Sequence, residues 1–268
     1  MQKCIVVSTP DAEFSALAFK EDFQDSIKKV ADLGYDAVEL AVRDPKSINI
    51  EQTRGILEEN ELPVPALGTG QAYGEEGLSF TDSNPEIREK AVQRIKDHLE
   101  FSAQIGQPQI IIGLIRGIVD NEEYLSQAEE HFVDCMQECA DYDRDITLTL
   151  EPINRYETNL YNDLLSMKEV IDKIDRPNVK MLVDTFHMNI EEPDMVESIY
   201  EVQDYISHVH VADSNRWAPG CGHIDFSSIL EALEDIGYDG AISAEILPEP
   251  DPDESARLAI RHMKELGL

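Results

Sequence analysis

The chain has no stretch approaching the roughly 18 to 20 consecutive apolar residues that a membrane span requires. Its start, MQKCIVVSTP, is a polar pair leading into a short strand-like run. No membrane role is expected, and the reading is a cytoplasmic protein. Positive charge is scarce: 22 lysines and arginines stand against 55 acidic residues, a formal net charge of −33 spread over almost every predicted helix. Such a field repels phosphate backbones and anionic membranes, so no nucleic-acid partner is expected. The 11 lysines also fit a halophilic, salt-rich cytoplasm, with an acidic mesophilic protein as the alternative. Cysteine is sparse and has no paired metal-ligand spacing. Cys4, Cys135, Cys139 and Cys221 read as reduced structural thiols, with Cys135 and Cys139 four apart on one predicted helix. No G-x-G-x-x-G follows the first strand, and GCGHID at Gly220 lies late in the chain, which disfavours a nicotinamide enzyme.

What is present is ordinary globular composition, 42% apolar and 7% aromatic over 268 residues, a length that closed α/β barrels occupy as one domain. Short β-branched runs alternate with longer helical segments from end to end, the pattern of parallel strands joined by crossover helices. The strand-like runs are KCIVV from Lys3, DAVEL from Asp36, VPALG from Val64, QIIIG from Gln109, ITLTL from Ile146, VKMLV from Val179, ISHVHV from Ile206 and AISAE from Ala241. A helix is predicted from Pro85 to a terminating Gly106. The helix, glycine, strand punctuation recurs in ADLGYDAVEL and LEDIGYDGAIS. Eight strands and eight helices without a linker predict a single-domain (β/α)8 TIM barrel over residues 1–268.

In such a barrel the chemistry sits at strand C-termini. Four consecutive predicted strands end there in ligand-type residues: Glu151, Asp184, His210 and Glu245. One alone would read as a helix cap, an ion-pair partner or a core histidine. Four in equivalent positions are harder to explain structurally, because the carboxylates gathered at one rim would repel one another without a cation. Three carboxylates and one imidazole form a hard site that suits one divalent metal, Mn²⁺ foremost, with Mg²⁺ or Co²⁺ acceptable. Strand spacing puts the fifth and eighth strands about 14 Å apart, leaving about 6 Å between Glu151 and Glu245. Opposed carboxylates there suit inversion of a carbon next to a carbonyl: one removes a proton from one face and the other supplies a proton to the opposite face. A cation would stabilise the intervening enediolate.

Three segments, LEPINRYETN at 150–159, LVDTFHMNIEE at 182–192 and HVHVADSNRWAPGCGHIDF at 208–226, resemble the ketose 3-epimerase branch of the xylose-isomerase-like barrel superfamily, which includes D-tagatose and D-allulose 3-epimerases. The resemblance implies that Glu151, Asp184, His210 and Glu245 hold the metal and that Glu151 and Glu245 are also the acid/base pair. It further implies that Glu157, His187 and Arg216 contact substrate oxygens of a sugar. Structural alternatives are Glu157 as a loop carboxylate paired with Arg155 and Arg216 as a surface ion-pair former; His187, three residues after Asp184 in a strand-end loop, is placed to hydrogen-bond the carbonyl oxygen. His208, two residues before His210, reads as a packed core histidine. Arg116 is a candidate for a distal hydroxyl or a phosphate. Phe14, Tyr73, Trp217 and Phe226 are candidates for lining a sugar pocket or for packing. The first and third βα loops, STPDAEFSAL and GTGQAYGEEGLSF, carry no specificity residue over from the family. An aldose–ketose isomerase such as hydroxypyruvate isomerase needs much the same metal site. An endonuclease would need more histidines and a basic groove, and a sugar-binding barrel would not need two opposed glutamates. Assembly as a homodimer or homotetramer is compatible with the sequence.

The net charge generates one expectation about stability. Molar salt shortens the screening length to about 3 Å, so the unfolding temperature should rise steeply from dilute buffer to molar KCl. A flat profile in calorimetry would rule out the halophilic reading.

Overall fold

The computed structural model describes residues 1–9, 22–119 and 121–268. Eight parallel strands close into one barrel, each paired with the next and the last with the first. They are β1 (Gln2–Ser8), β2 (Ala37–Ala41), β3 (Ala66–Gly68), β4 (Gln109–Ile112), β5 (Leu148–Leu150), β6 (Val179–Asp184), β7 (Ile206–Val211) and β8 (Ala241–Ala244). All eight predicted strands are present. Strands covered by helices outside and by side chains inside are buried on both faces, which is why runs such as Cys4–Val7 and Ala37–Ala41 are continuously buried.

Ten α-helices lie among the described residues, two more than expected: α1 (Phe23–Leu33), α2 (Ile50–Glu59), α3 (Gln71–Glu76), α4 (Pro85–Ser102), α5 (Leu125–Tyr142), α6 (Leu164–Ile174), α7 (Thr185–Glu191), α8 (Met195–Glu201), α9 (Phe226–Asp235) and α10 (Pro252–Glu265). The excess comes from short helices inside βα connections. Of these, α3 and α7 start within three residues of a strand end and bring backbone to the rim of the barrel. Helix α4 stops at Ser102, short of the predicted Gly106. The chain leaves it through tight turns, Gln104 N–H to Phe101 O and Ile105 N–H to Ser102 O, before Gly106 takes a φ of 107°.

Part of the acidic excess is used locally. Asp22, Asp163, Asp184, Asp194, Asp225 and Asp251 each cap a helix N-terminus, accepting backbone N–H groups that have no partner within the helix. A carboxylate there also faces the positive end of the helix dipole.

Register aligns the rim. A shift in the β6–β7 pairing between Met181 and Leu182 sets Asp184 directly beside His210, and His210 in turn pairs with Ser243 of β8. Asp184 and His210 therefore sit at one height, with Glu151 and Glu245 each one residue beyond the ends of β5 and β8.

Candidate active site and metal centre

Ligand atoms of Glu151, Asp184, His210 and Glu245 all lie within 4.8 Å of one another. The cluster is tighter than the gap of about 6 Å expected from strand spacing, because the side chains come from four neighbouring strands and converge along one arc of the rim. His210 Nδ1 lies 3.7 Å from a Glu151 oxygen and 3.8 Å from oxygens of Asp184 and Glu245. Around a cation with bonds of about 2.1 Å, ligand atoms are separated by about 3 to 4.2 Å. Asp184 Oδ2 and His210 Nδ1 are buried and have no hydrogen-bond partner among the described residues, an arrangement that costs several kcal/mol for a charged group unless a cation completes it. The residues therefore fit one divalent ion.

Local structure explains how each side chain is aimed. Asp184 divides its carboxylate: Oδ1 caps α7 by accepting Phe186 N–H at 2.7 Å, leaving Oδ2 for the cluster. Glu151 has room because residue 113 is glycine, where a Cβ would approach its Oε2 to 2.9 Å. Arg216 is buried, with a left-handed φ of 60° that non-glycine residues seldom adopt. The loop around it is gathered by buried Asp213, whose carboxylate accepts N–H groups from Ser214, Gly220 and Ile224. Gly222 is required there, since a Cβ would fall 2.1 Å from Asp213 Oδ1. Held this way, Arg216 donates through Nη2 to Glu245 Oε2, lies 3.8 Å from Asp184 Oδ2 and stacks over the Phe186 ring at 4.7 Å.

Burial pushes Asp184 upward, and together with the Glu151 and Asp184 carboxylates it pushes Glu245 up to about 8, against the opposing pull of Arg216 and His210. Burial, with the cations of Arg216 and Arg116 nearby, pushes His187 well below the usual histidine range. His187 Nε2 faces the cluster, 3.8 Å from both Glu151 Oε1 and Asp184 Oδ2. Glu151, Glu157, His187, His210, Arg216 and Glu245 line one cleft of about 580 Å³ counted to its open mouth, and Asp184 joins them through the ligand cluster. Further lining comes from Thr69, Gly70 and Gln71 at the start of α3 and from Leu114 and Ile153.

All seven predicted site residues are thus brought together, and the structural alternatives for two of them are removed. Arg155 pairs with Glu191 at 2.6 Å rather than with Glu157, and Arg216 is not at the surface. Arg116 is a correction. It is fully buried, is not among the cleft-lining residues, and donates to the Glu151 main-chain carbonyl, so it supports the ligand strand end from behind. Burial lowers it to about 10. Phe14 lies outside the described residues. Tyr73, Trp217 and Phe226 are not among the described cleft-lining residues; Phe226 is core, edge-on to His262, and Trp217 is 39% exposed.

Sequence reading missed Glu39 and Asn154. Glu39 is a carboxylate in the middle of a fully buried strand, and that anomaly is the signal that could have found it. Its oxygens accept from His208 Nε2 at 2.8 Å and His210 Nε2 at 3.1 Å. Against the effect of burial, the two imidazoles hold it well below the usual carboxylate range. An ionised carboxylate only accepts, so His210 must donate Nε2–H to it and turn Nδ1 toward Glu151, Asp184 and Glu245. His208 is the packed, hydrogen-bonded core histidine expected. Asn154 hydrogen-bonds His187 and Glu157.

Glu39→Gln is expected to weaken Mn²⁺ binding by about 10- to 100-fold in calorimetric titration, the usual cost of disturbing a ligand's hydrogen-bond partner. Wild-type affinity in a folded variant would show that Glu39 does not orient the ligand.

The model for the Xylose isomerase-like TIM barrel family matches residues 27–266. L-ribulose 3-epimerase of Methylomonas sp. is 33% identical over 82% of this chain and 77% of its own length. 3-dehydro-D-guloside 4-epimerase of Escherichia coli is 27% identical over 84% of this chain and 87% of its own. Among solved structures, D-allulose 3-epimerase of Methylomonas sp. in complex with D-allulose superposes with a TM-score of 0.85 at 28% identity, covering 99% of this chain and 96% of that one. The chain therefore belongs to the xylose isomerase-like TIM barrel family, and it is an enzyme of the isomerase class related to sugar epimerases.

Proposed function

We propose that this enzyme is a metal-dependent epimerase that inverts C3 of a ketose, with Glu151 and Glu245 as the two proton carriers. The observation that carries the reading is the convergence of these two glutamates with Asp184 and His210 in one buried cluster at the floor of a cleft. The activities named for the 3-epimerase relatives support it. Glu151, Asp184, His210 and Glu245 would hold one divalent ion, Mn²⁺ in preference to Mg²⁺ or Co²⁺ for a set of three oxygens and one nitrogen. When bound, the ion supplies positive charge beside the carbonyl and the enediolate derived from it.

The protein's own groups do the rest. One glutamate accepts the C3 proton on one face of the sugar, and the other delivers a proton to the opposite face. Arg216, tied to Glu245 Oε2, keeps that carboxylate in place and offers its remaining N–H groups to a substrate oxygen. His187, beside Arg216 and the cluster, faces the same oxygens. Glu157, at the cleft wall, accepts from a sugar hydroxyl. The E. coli relative favours a second reading, in which the inverted carbon is C4 rather than C3.

Exhaustive chelation is expected to abolish activity, and Mn²⁺ to restore it better than Zn²⁺; full activity after demetallation would reject the metal site. In D₂O with a panel of ketoses and Mn²⁺, deuterium should enter at C3 with formation of the C3 epimer. Glu151→Gln and Glu245→Gln should each reduce turnover by at least about 10²- to 10⁴-fold. Deuterium at C4 would establish the second reading, and deuterium at C1 with an aldose product an isomerase. Two Gln variants that epimerise at the wild-type rate would overturn the two-carboxylate mechanism.

A further inference from the structure

The imidazole of His187 has one nitrogen in the cleft and one behind it, and which nitrogen carries the proton decides whether the ring can donate to a substrate oxygen. Behind it stands Asn154, 1% exposed, in the loop after β5. The orientation of its amide is set twice over. Asn154 Oδ1 accepts Tyr156 N–H at 3.0 Å. Its other terminal atom lies 2.8 Å from Glu157 Oε1, a carboxylate oxygen that can only accept. The atom facing Glu157 is therefore the NH₂ nitrogen. That same Nδ2 is 2.8 Å from His187 Nδ1, and the Asn154 backbone N–H reaches the same ring nitrogen at 3.4 Å.

One contact opposes this. Arg216 Nη1 lies 3.3 Å from His187 Nε2, and a guanidinium always donates, so it favours a bare Nε2 and a proton on Nδ1. That tautomer would set Nδ1–H against two N–H donors, the side-chain and backbone nitrogens of Asn154. The opposite tautomer sets Nε2–H against the single Arg216 Nη1 donor, and two carboxylate oxygens, of Glu151 and Asp184, lie 3.8 Å from that same Nε2. Two donors, one of them the closest of the three, outweigh one.

We propose that Asn154 is a positioning residue that locks His187 in the Nε2–H tautomer, so that one amide presents His187 as a donor and Glu157 as an acceptor to the substrate. This rests on the sugar-epimerase reading only for the identity of the oxygen that receives the hydrogen bond; the tautomer is a property of the protein alone. Asn154→Asp is the sharpest perturbation. It keeps size and the acceptor for Tyr156 N–H but replaces the donor with a carboxylate, which draws the proton to Nδ1.

The test is long-range ¹H–¹⁵N correlation on ¹⁵N-histidine-labelled, Mg²⁺-loaded enzyme, with the His187 signals identified by their loss in His187→Gln. Wild type should show Nε2–H with a bare Nδ1. Asn154→Asp should show a protonated Nδ1, and its kcat should fall by about 10² or more while KM changes far less, the mark of a donor that acts in the transition state. Asn154→Ala, which leaves the backbone N–H, should retain a larger share of the Nε2–H form than the Asp variant. The proposal is overturned if wild type carries its proton on Nδ1, if Asn154→Asp leaves the tautomer unchanged, or if the tautomer changes while kcat does not. Failure of the sugar panel to reveal a substrate would count against the epimerase reading and leave the tautomer result standing.

Discussion

Like charges brought within a few ångströms repel, by about 4 kcal/mol per pair at about 4 Å under an effective dielectric of about 20. The rim of this barrel gathers three carboxylates whose ligand atoms lie within 4.8 Å of one another. Much of the surrounding structure makes that concentration tolerable. Arg216 is buried against Glu245 and near Asp184, on a backbone conformation that its loop must impose. Asp184 shares its charge with the N-terminus of α7. Arg116 anchors the main chain of Glu151 without entering the cleft. The remaining imbalance, with bare Asp184 Oδ2 and His210 Nδ1 facing the same point, is the physical case for a cation.

Behind the rim a second layer of polar groups sets ring orientations. Glu39 reaches across from β2 to clamp both histidines of β7, and Asn154 performs the corresponding task for His187 from the β5 loop. Neither residue lies at a strand end with the ligand set. Each acts on which nitrogen of an imidazole carries the proton, a choice that converts a ring atom between donor and acceptor at no change in position.

The cleft walls divide the labour differently. One side is the charged cluster; the other is built by β3 and the start of α3, with Gly68, Thr69, Gly70 and Gln71. Gly68 and Gly70 contribute no side chain to that wall, and the curated relatives are named for different sugars. The candidate cluster thus stands on the consecutive strand ends of β5 to β8, and the glycine-containing wall on the connection between β3 and α3.

How much the sequence settled follows from the range of the forces involved. Strand and helix periodicity is local, so the eight strands and the closed barrel were legible, as was the convergence of four candidate ligands, because a strand end is identifiable from chain pattern alone. The resemblance in 150–159, 182–192 and 208–226 added Glu157, His187 and Arg216, which the fold brings to the same cleft. Tertiary structure alone decided the rest. Glu39 meets His210 across 171 residues and Asn154 meets His187 across 33, pairings that no periodicity encodes. Arg116 reads at a strand end as a ligand group, yet the 3₁₀ turn after β4 carries it under the Glu151 carbonyl. Composition and local pattern determined which chemistry could be assembled; the closure of the barrel determined which groups face it, because side-chain direction and hydrogen-bond partnership exist only once distant strands are paired.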